Sequence, residues 1–200
     1  LFLQMTLFGS VERHLADAWM PDWVVSERQC LVDSLVYARF YTPLMQRDLE
    51  PAELPADLDL GGVEAWVSTL PARLGQLRPL TLCEVPGFAL EVFQMPDPQR
   101  LSALMALYRA ALPDVVVVLT ADTPALTERL ASKPRTTPRE LHEQIPVLLQ
   151  LQHGLVHAAQ QLAAADPRLT VQVLDTSRHT AGDTEAAIAA VLEGRCATTC

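Results

Sequence analysis

Two clusters of charged side chains have the residue types that chemistry on phosphate requires. Glu27 and Arg28 close the run Val24-Val25-Ser26-Glu27-Arg28. Arg129, Lys133 and Arg135 form Arg129-x-x-x-Lys133-x-Arg135, which contains the only lysine of the chain. Each cluster follows an apolar run that reads as a buried strand. Arginine and lysine at strand ends and at a helix end are suited to holding phosphate, because guanidinium forks match its oxygens. Two such clusters in one α/β pattern point to phosphoryl transfer. Glu27 could hold Mg²⁺ through water, and Arg28 could clamp a phosphate or a 5′ oxygen. The plain alternative is a Glu–Arg pair that closes a strand–helix turn. For the second cluster the alternative is favourable charge at a helix carboxyl end. That accounts for Lys133 but poorly for three neighbouring cations, which suit a phosphate-gripping lid better.

Other polar residues have weaker claims. Asp33, on the helix after Arg28, could turn back and accept hydrogen bonds from a base; otherwise it is a solvated helical aspartate. Gln4 lies in the apolar stretch Leu1–Phe8. A buried glutamine needs partners, and its amide matches a nucleobase edge or a satisfied core site. His153 and His157 have i, i+4 spacing but no H-E-x-x-H carboxylate or third ligand, so they read as ordinary helical histidines together with His142. The cysteines Cys30, Cys83, Cys196 and Cys200 form no C-x-x-C pair and read as free thiols rather than zinc ligands. No G-x-x-x-x-G-K-[ST] loop occurs, so a phosphate-cradling loop would have to lie upstream of Leu1.

The elements that must position these residues alternate along the chain. Leu1–Ala18 reads as a helix, with Leu3, Leu7, Val11 and Leu15 at helical spacing. Trp23–Ser26 reads as a short buried strand and Arg28–Tyr41 as a helix ended by Pro43. Asp48–Pro98 is rich in proline. Val63–Leu77 suits a helix broken at Pro71, and Leu80–Val85 and Phe88–Met95 suit strands. Pro98–Ala111 is a helix. Asp114–Thr120 holds four consecutive valines and reads as a central parallel strand. Thr123 should cap the next helix with Pro124 at its first position, and that helix should reach Ser132. Lys133–Pro138 reads as a loop and Arg139–Ala164 as a long helix kinked at Pro146. Leu169–Leu174 is a strand, Asp175–Gly182 a loop and Thr184–Leu192 a last helix. The expectation is an α/β fold whose parallel sheet is covered on both faces.

Composition sets outer bounds. The chain has 200 residues, half of them hydrophobic, with net charge −9 and pI near 4.9. One domain is the default for this length. The acidity argues against a general nucleic-acid or anionic-membrane surface. No apolar run reaches the length of a membrane span. Leu1–Phe8 is already an apolar helical pattern without the basic start of a signal peptide, and the sequence reads as the middle of a larger fold.

Taken together, these segments resemble the deoxyribonucleoside kinase family, which includes deoxycytidine, deoxyguanosine and mitochondrial thymidine kinases. Leu3-Gln4 and the helix after it resemble the family's Phe-Gln helix. Val24–Arg28 resembles its strand ending in Glu-Arg-Ser, with Asp33 and Tyr37 at matching positions of the following helix. Pro113–Leu119, Thr123-Pro124 and Glu128-Arg129 resemble its late strand and lid-helix entry, with Lys133 and Arg135 in the lid. Val173-Leu174-Asp175 resembles its last strand. About two thirds of the chain is covered.

The resemblance implies a P-loop kinase-like parallel sheet flanked by helices, here lacking the first strand and the P-loop. It implies a homodimer that moves the γ-phosphate of ATP, with Mg²⁺, to the 5′ hydroxyl of a deoxynucleoside. Gln4 and Asp33 would read the base, and Tyr37 would line its pocket. Glu27 would support Mg²⁺, and Arg28 would bind near the 5′ oxygen and the phosphates. Arg129, Lys133 and Arg135 would grip phosphoryl groups, and Arg178 and His179 would lie near the base of ATP. The compartment stays open between cytoplasm and mitochondrion.

The departures are the absent phosphate loop, the absent upstream carboxylate, Gln29 in place of serine, Val11 in place of a base-reading arginine, Lys133 in place of an arginine, and no acidic pair after Arg135. Residues 48–96 look like an insertion in a single kinase-like domain spanning 1–200. The 200 residues alone are expected to be inactive. A non-catalytic accessory subunit of the respiratory complex I type and a thymidylate kinase-like nucleotide kinase remain as alternatives.

Overall fold

The computed structural model describes residues 2–45, 60–133 and 144–199. The chain is mixed α/β and mostly helical. It divides into two compact units, Leu1–Leu112 and Pro113–Cys200. Arg135, His142 and residues 48–59 of the expected insertion lie outside the described residues.

Every regular element of unit one among the described residues is helical. Its elements are α1 (Phe2–Met5), α2 (Phe8–Trp19), α3 (Cys30–Met45), α4 (Gly61–Val67), α5 (Val85–Gln94) and α6 (Asp97–Tyr108), with 3₁₀ turns at Pro71–Leu74 and Leu82–Glu84. Helices α3, α5 and α6 pack on one another. Leu31, Leu35 and Ala38 recur at helical spacing along α3 and are buried against a core that includes Phe88, Val92, Leu104 and Tyr108. The Phe2 ring meets those of Phe88, Phe93 and Tyr108 edge-on, with centroids 5.8–6.3 Å apart. Residues 60–96 belong to this core, since Val67, Leu70, Leu80 and Phe88 are buried in it.

Several expectations for unit one are corrected. The first helix is interrupted at Thr6-Leu7. There the Thr6 hydroxyl donates to the Leu3 carbonyl at 2.8 Å and competes with regular helix bonding. The stripe Leu7, Val11, Leu15 is exposed. Helix α2 is held instead through Gly9, where an added Cβ would lie 2.1 Å from the Arg109 carbonyl oxygen. Trp23–Ser26 is neither strand nor buried. A strand is held by its ladder, and no strand occurs among the described residues of this unit to pair with it. Helix α3 continues past Pro43 to Met45.

Leu80–Val85 and Phe88–Met95 form a 3₁₀ turn and a helix, not strands. Thr81 and Glu84 make a capping box: the Thr81 amide donates to Glu84 Oε2 at 3.0 Å and its hydroxyl at 2.7 Å. Pro86 then opens α5, whose buried residues Val85, Phe88, Ala89 and Val92 fall at helical spacing.

Unit two is built on a two-stranded parallel sheet, β1 (Val115–Thr120) and β2 (Thr170–Asp175), in register from Val115↔Thr170 to Thr120↔Asp175. A parallel pair needs a long crossover. Here it runs through α7 (Thr123–Ser132) and α8 (Ile145–Ala165), and α9 (Ala181–Thr199) follows β2. Helix α8 lies against both strands, and α9 lies beside β2. The valine run alternates in burial: Val116 and Val118 are buried, while Leu119 is 43% exposed. The expected sheet, covered on both faces, is therefore a small one with one face partly open.

Asp122, rather than Thr123, caps α7: its Oδ1 accepts from the Ala125 amide at 2.9 Å. Pro146 does not kink α8 but stands in its first turn, where its missing N–H costs nothing.

Candidate functional site

In unit one the amino end of α3 gathers the candidate polar groups. Gln29 caps this helix. Its Oε1 accepts from the amides of Leu31 at 2.7 Å and Val32 at 2.9 Å. Asp33, in the first turn of α3, lies on the side of Arg28. The Arg28 Nη1 and Asp33 Oδ2 atoms are 3.7 Å apart, close enough for ion pairing but too far for a hydrogen bond. Asp33 is buried, and its Oδ2 has no hydrogen-bond partner. Burial pushes its pKa above the usual carboxylate range, and Arg28 opposes that shift. Tyr37 follows one turn later and is half-buried, so Asp33 and Tyr37 share a helix face. Beside them the Ser34 and Tyr108 hydroxyls pair at 2.8 Å, linking α3 to α6.

Glu27 and Arg28 themselves are exposed, in an irregular segment rather than at a strand end. Gln4 is also exposed, which corrects the reading of a buried amide. In α1 it is Phe2 that reaches the core, and Gln4 lies on another side of the short helix. Glu12 was missed by the sequence reading. Burial raises its pKa. Glu12 and Asp33 both add to the burial that pushes the Cys30 thiol up to about 12. The charge of Glu12 reaches Cys30 on α3, and spacing alone gave no signal for it. Cys30 and Cys83 are free thiols, Cys30 buried and Cys83 exposed.

Unit two has a cavity of about 650 Å³ that starts at the carboxyl ends of β1 and β2 and runs along α9. Its lining includes Leu119, Arg129, Thr176, His179, Glu185 and Ile188. Open α/β sheets present ligand sites at this end of their strands, and the volume falls in the range of small-molecule sites. The Arg129 guanidinium is anchored there: Nη1 donates to the Thr176 hydroxyl at 3.0 Å, and Nη2 to the Thr176 carbonyl. Thr176 in turn bonds the Thr120 carbonyl through its amide at 2.8 Å and its hydroxyl at 2.9 Å.

Of the expected residues, Arg129 and His179 share this cavity, while Lys133 and Arg178 are exposed and do not line it. Gln152 was also missed. From α8 it brackets Ala121, accepting from its amide at 2.6 Å and donating to its carbonyl at 3.1 Å. A glutamine in an amphipathic helix carries no sequence signature of that task.

His153 and His157 are exposed on α8. Among the described residues no group of three or more His, Cys, Asp or Glu side chains could hold a metal ion. Glu27 as a lone exposed carboxylate fits Mg²⁺ only where nucleotide phosphates supply most of the ligands. No helix among the described residues is long and apolar enough to cross a membrane. Compared with protein-family models, curated proteins and solved structures, the chain gives no match in any of the three.

Proposed function

We propose that the chain belongs to a deoxynucleoside kinase that transfers the γ-phosphate of ATP to the 5′ hydroxyl of a deoxynucleoside. The observation that carries this reading is the cavity that starts at the carboxyl ends of β1 and β2 and runs along α9, lined there by Arg129 and His179 and sized for a nucleotide portion. In it Arg129 would meet phosphate, and the His179 ring would lie against the base. In unit one, Arg28 would neutralise charge near the 5′ oxygen. Asp33 and Tyr37 would face the nucleoside, and Glu27 would support a Mg²⁺ that arrives on the nucleotide. Gln4 would join them only through a change in exposure. The finer fold, a P-loop-type sheet that pairs in a homodimer, belongs to the same proposal, as does phosphate contact by Lys133 and Arg135.

Catalysis would consist of alignment and charge neutralisation, with the 5′ oxygen attacking the γ-phosphorus in line and ADP leaving. The test is nucleoside phosphorylation by the product of the complete reading frame. Activity is expected with at least one common deoxynucleoside, and Arg28→Ala should lower kcat by about two orders of magnitude or more, by loss of transition-state charge stabilisation. No phosphorylation of any deoxynucleoside, or an Arg28→Ala variant of ordinary activity, overturns the reading.

A second reading, a kinase-like accessory subunit without catalysis, is favoured by one observation. Arg129 is already spent on Thr176, a use that a structural role would explain.

A further inference from the structure

The cavity of unit two has two unlike ends. At the strand ends it is bordered by Arg129, Thr176 and His179, and further along α9 the lining turns to Leu119, Ile188, Ala189 and Leu192. Glu185, Ile188, Ala189 and Leu192 recur at three- and four-residue intervals, so one face of α9 forms a wall of the groove. Leu119 joins them from β1, on the sheet face opposite to that of the buried Val116 and Val118, and stays exposed. From Ala181 to Leu192 the helix rises about 16 Å, so the lining follows a channel and not a point. The nucleotide reading uses the polar end alone. Sugar and phosphates have no use for an apolar limb of that length.

Hydrogen bonds hold the polar end in place. Arg129 gives two of its five N–H donors to Thr176, which fixes the guanidinium at the mouth of the cavity and leaves the other donors for a ligand. The His179 amide donates to the same Thr176 carbonyl at 3.1 Å. At the start of α9 the Thr180 amide and hydroxyl donate to Asp183 Oδ2 at 2.9 and 2.7 Å, and the Asp183 amide donates back to the Thr180 hydroxyl at 3.2 Å. The apolar wall of α9 is thereby tied to the residue that anchors the arginine. Glu185, exposed on the same wall, disfavours negative charge further along the groove, so an anionic group belongs at Arg129.

We propose that this groove binds a single-chain aliphatic carboxylate, with its head at Arg129 and its hydrocarbon chain against Leu119, Ile188 and Leu192 along α9. A guanidinium matches a carboxylate in charge and in geometry, and the apolar limb removes the chain from water. The proposal does not rest on the kinase reading. Where both hold, the carboxylate and the nucleotide exclude each other at Arg129.

The probe is dodecanoate, titrated by calorimetry below its micelle concentration into the product of the complete reading frame, without nucleotide. One saturable site is expected. In a series from octanoate upwards, affinity should rise about tenfold or more for every two methylenes and level off once the chain outgrows the limb along α9. Dodecylamine, with the same tail and the opposite charge, should bind at least about tenfold more weakly, although a net charge of −9 favours it. Leu192→Gln and Arg129→Gln should each weaken dodecanoate binding by about tenfold or more. Arg129→Lys, which keeps charge but loses the fork, should fall between wild type and Arg129→Gln. Trp19→Gln, on the exposed stripe of α2, should leave binding unchanged. Circular dichroism checks that the variants fold, and the chain-length series and the amine decide the matter on the unaltered protein if one does not. The proposal is overturned by absence of saturable binding, by affinity that climbs without levelling, by equal or tighter binding of dodecylamine, by a loss in Trp19→Gln, or by a dimer that Leu192→Gln dissociates. No step involves ATP, so a failure here and a failure of nucleoside phosphorylation are separate results.

Discussion

The two units treat buried polar groups in opposite ways. In unit two the one buried polar residue among those described is Thr176, and it is fully engaged, with Thr120 behind it and Arg129 in front. Unit one buries Thr6, Asp33, Ser34 and Arg100. It leaves Asp33 Oδ2, Arg73 Nε and Arg100 Nε without hydrogen-bond partners. Unpartnered buried polar atoms are costly and rare, and they mark places where a fold has been shaped for something besides stability. By this criterion unit one carries the unsatisfied chemistry, and unit two is a well-satisfied scaffold around an open cavity. Satisfaction also explains what the same kind of mutation should do in each unit.

The largest effect belongs to apolar packing in unit one. Leu104 is fully buried where α6 meets α3 and α5. Leu104→Ala should cost about 2–5 kcal/mol, measured by urea unfolding, because the lost transfer energy and the residual cavity add. A loss under ~1 kcal/mol would show that this core collapses freely and is not the rigid support that Arg28 and Asp33 need. In unit two the corresponding test is a polar anchor. Gln152→Ala strips both hydrogen bonds from the Ala121 backbone at the end of β1. A cost of about 2 kcal/mol is expected, since a buried amide and carbonyl lose their partners together. An unchanged unfolding midpoint would mean that water replaces the glutamine, and unit two would no longer count as the tightly satisfied half.

The same contrast explains what was legible in the sequence. In unit two the signals are local. Four valines in a row, a proline in the first turn of each of α7 and α8, and a second β-branched run define strand–helix–helix–strand without reference to the rest of the chain. Only details moved, such as the cap shifting from Thr123 to Asp122. In unit one the decisive contacts are tertiary. Val24-Val25 has the residues of a strand but no ladder to join, and Phe88–Met95 has β-favouring side chains overruled by the Thr81–Glu84 capping box and Pro86. That box, Thr81-x-x-Glu84, was readable as a helix start. The burial of Asp33 was not readable, because it depends on how α3 packs in the tertiary fold. The pairing of Arg28 with Asp33 was not anticipated either, and Gln4 on a short exposed helix could not be told from a buried glutamine by its neighbours.

Removing a polar group in unit one should have the reverse sign, and this is the smallest and most discriminating test. The raised pKa of Asp33 means that the folded protein holds its proton more tightly than the unfolded chain does. The stability this group contributes is present in full below the ordinary carboxylate pKa and is lost as pH rises through the higher folded value. Glu12 shifts in the same direction and stays in place in both proteins. Asp33→Asn removes the charge, keeps the shape, and leaves Arg28 exposed to water, where an unpaired guanidinium costs little. The variant should therefore match the wild type near pH 4 and exceed it modestly at pH 7, with the gap opening across the acidic range in paired thermal-unfolding series. If Asp33→Asn is instead the less stable protein at neutral pH, the Arg28–Asp33 pair outweighs its burial. Asp33 would then be as well satisfied as Thr176, and the distinction between the two units would fail at the residue on which it leans most.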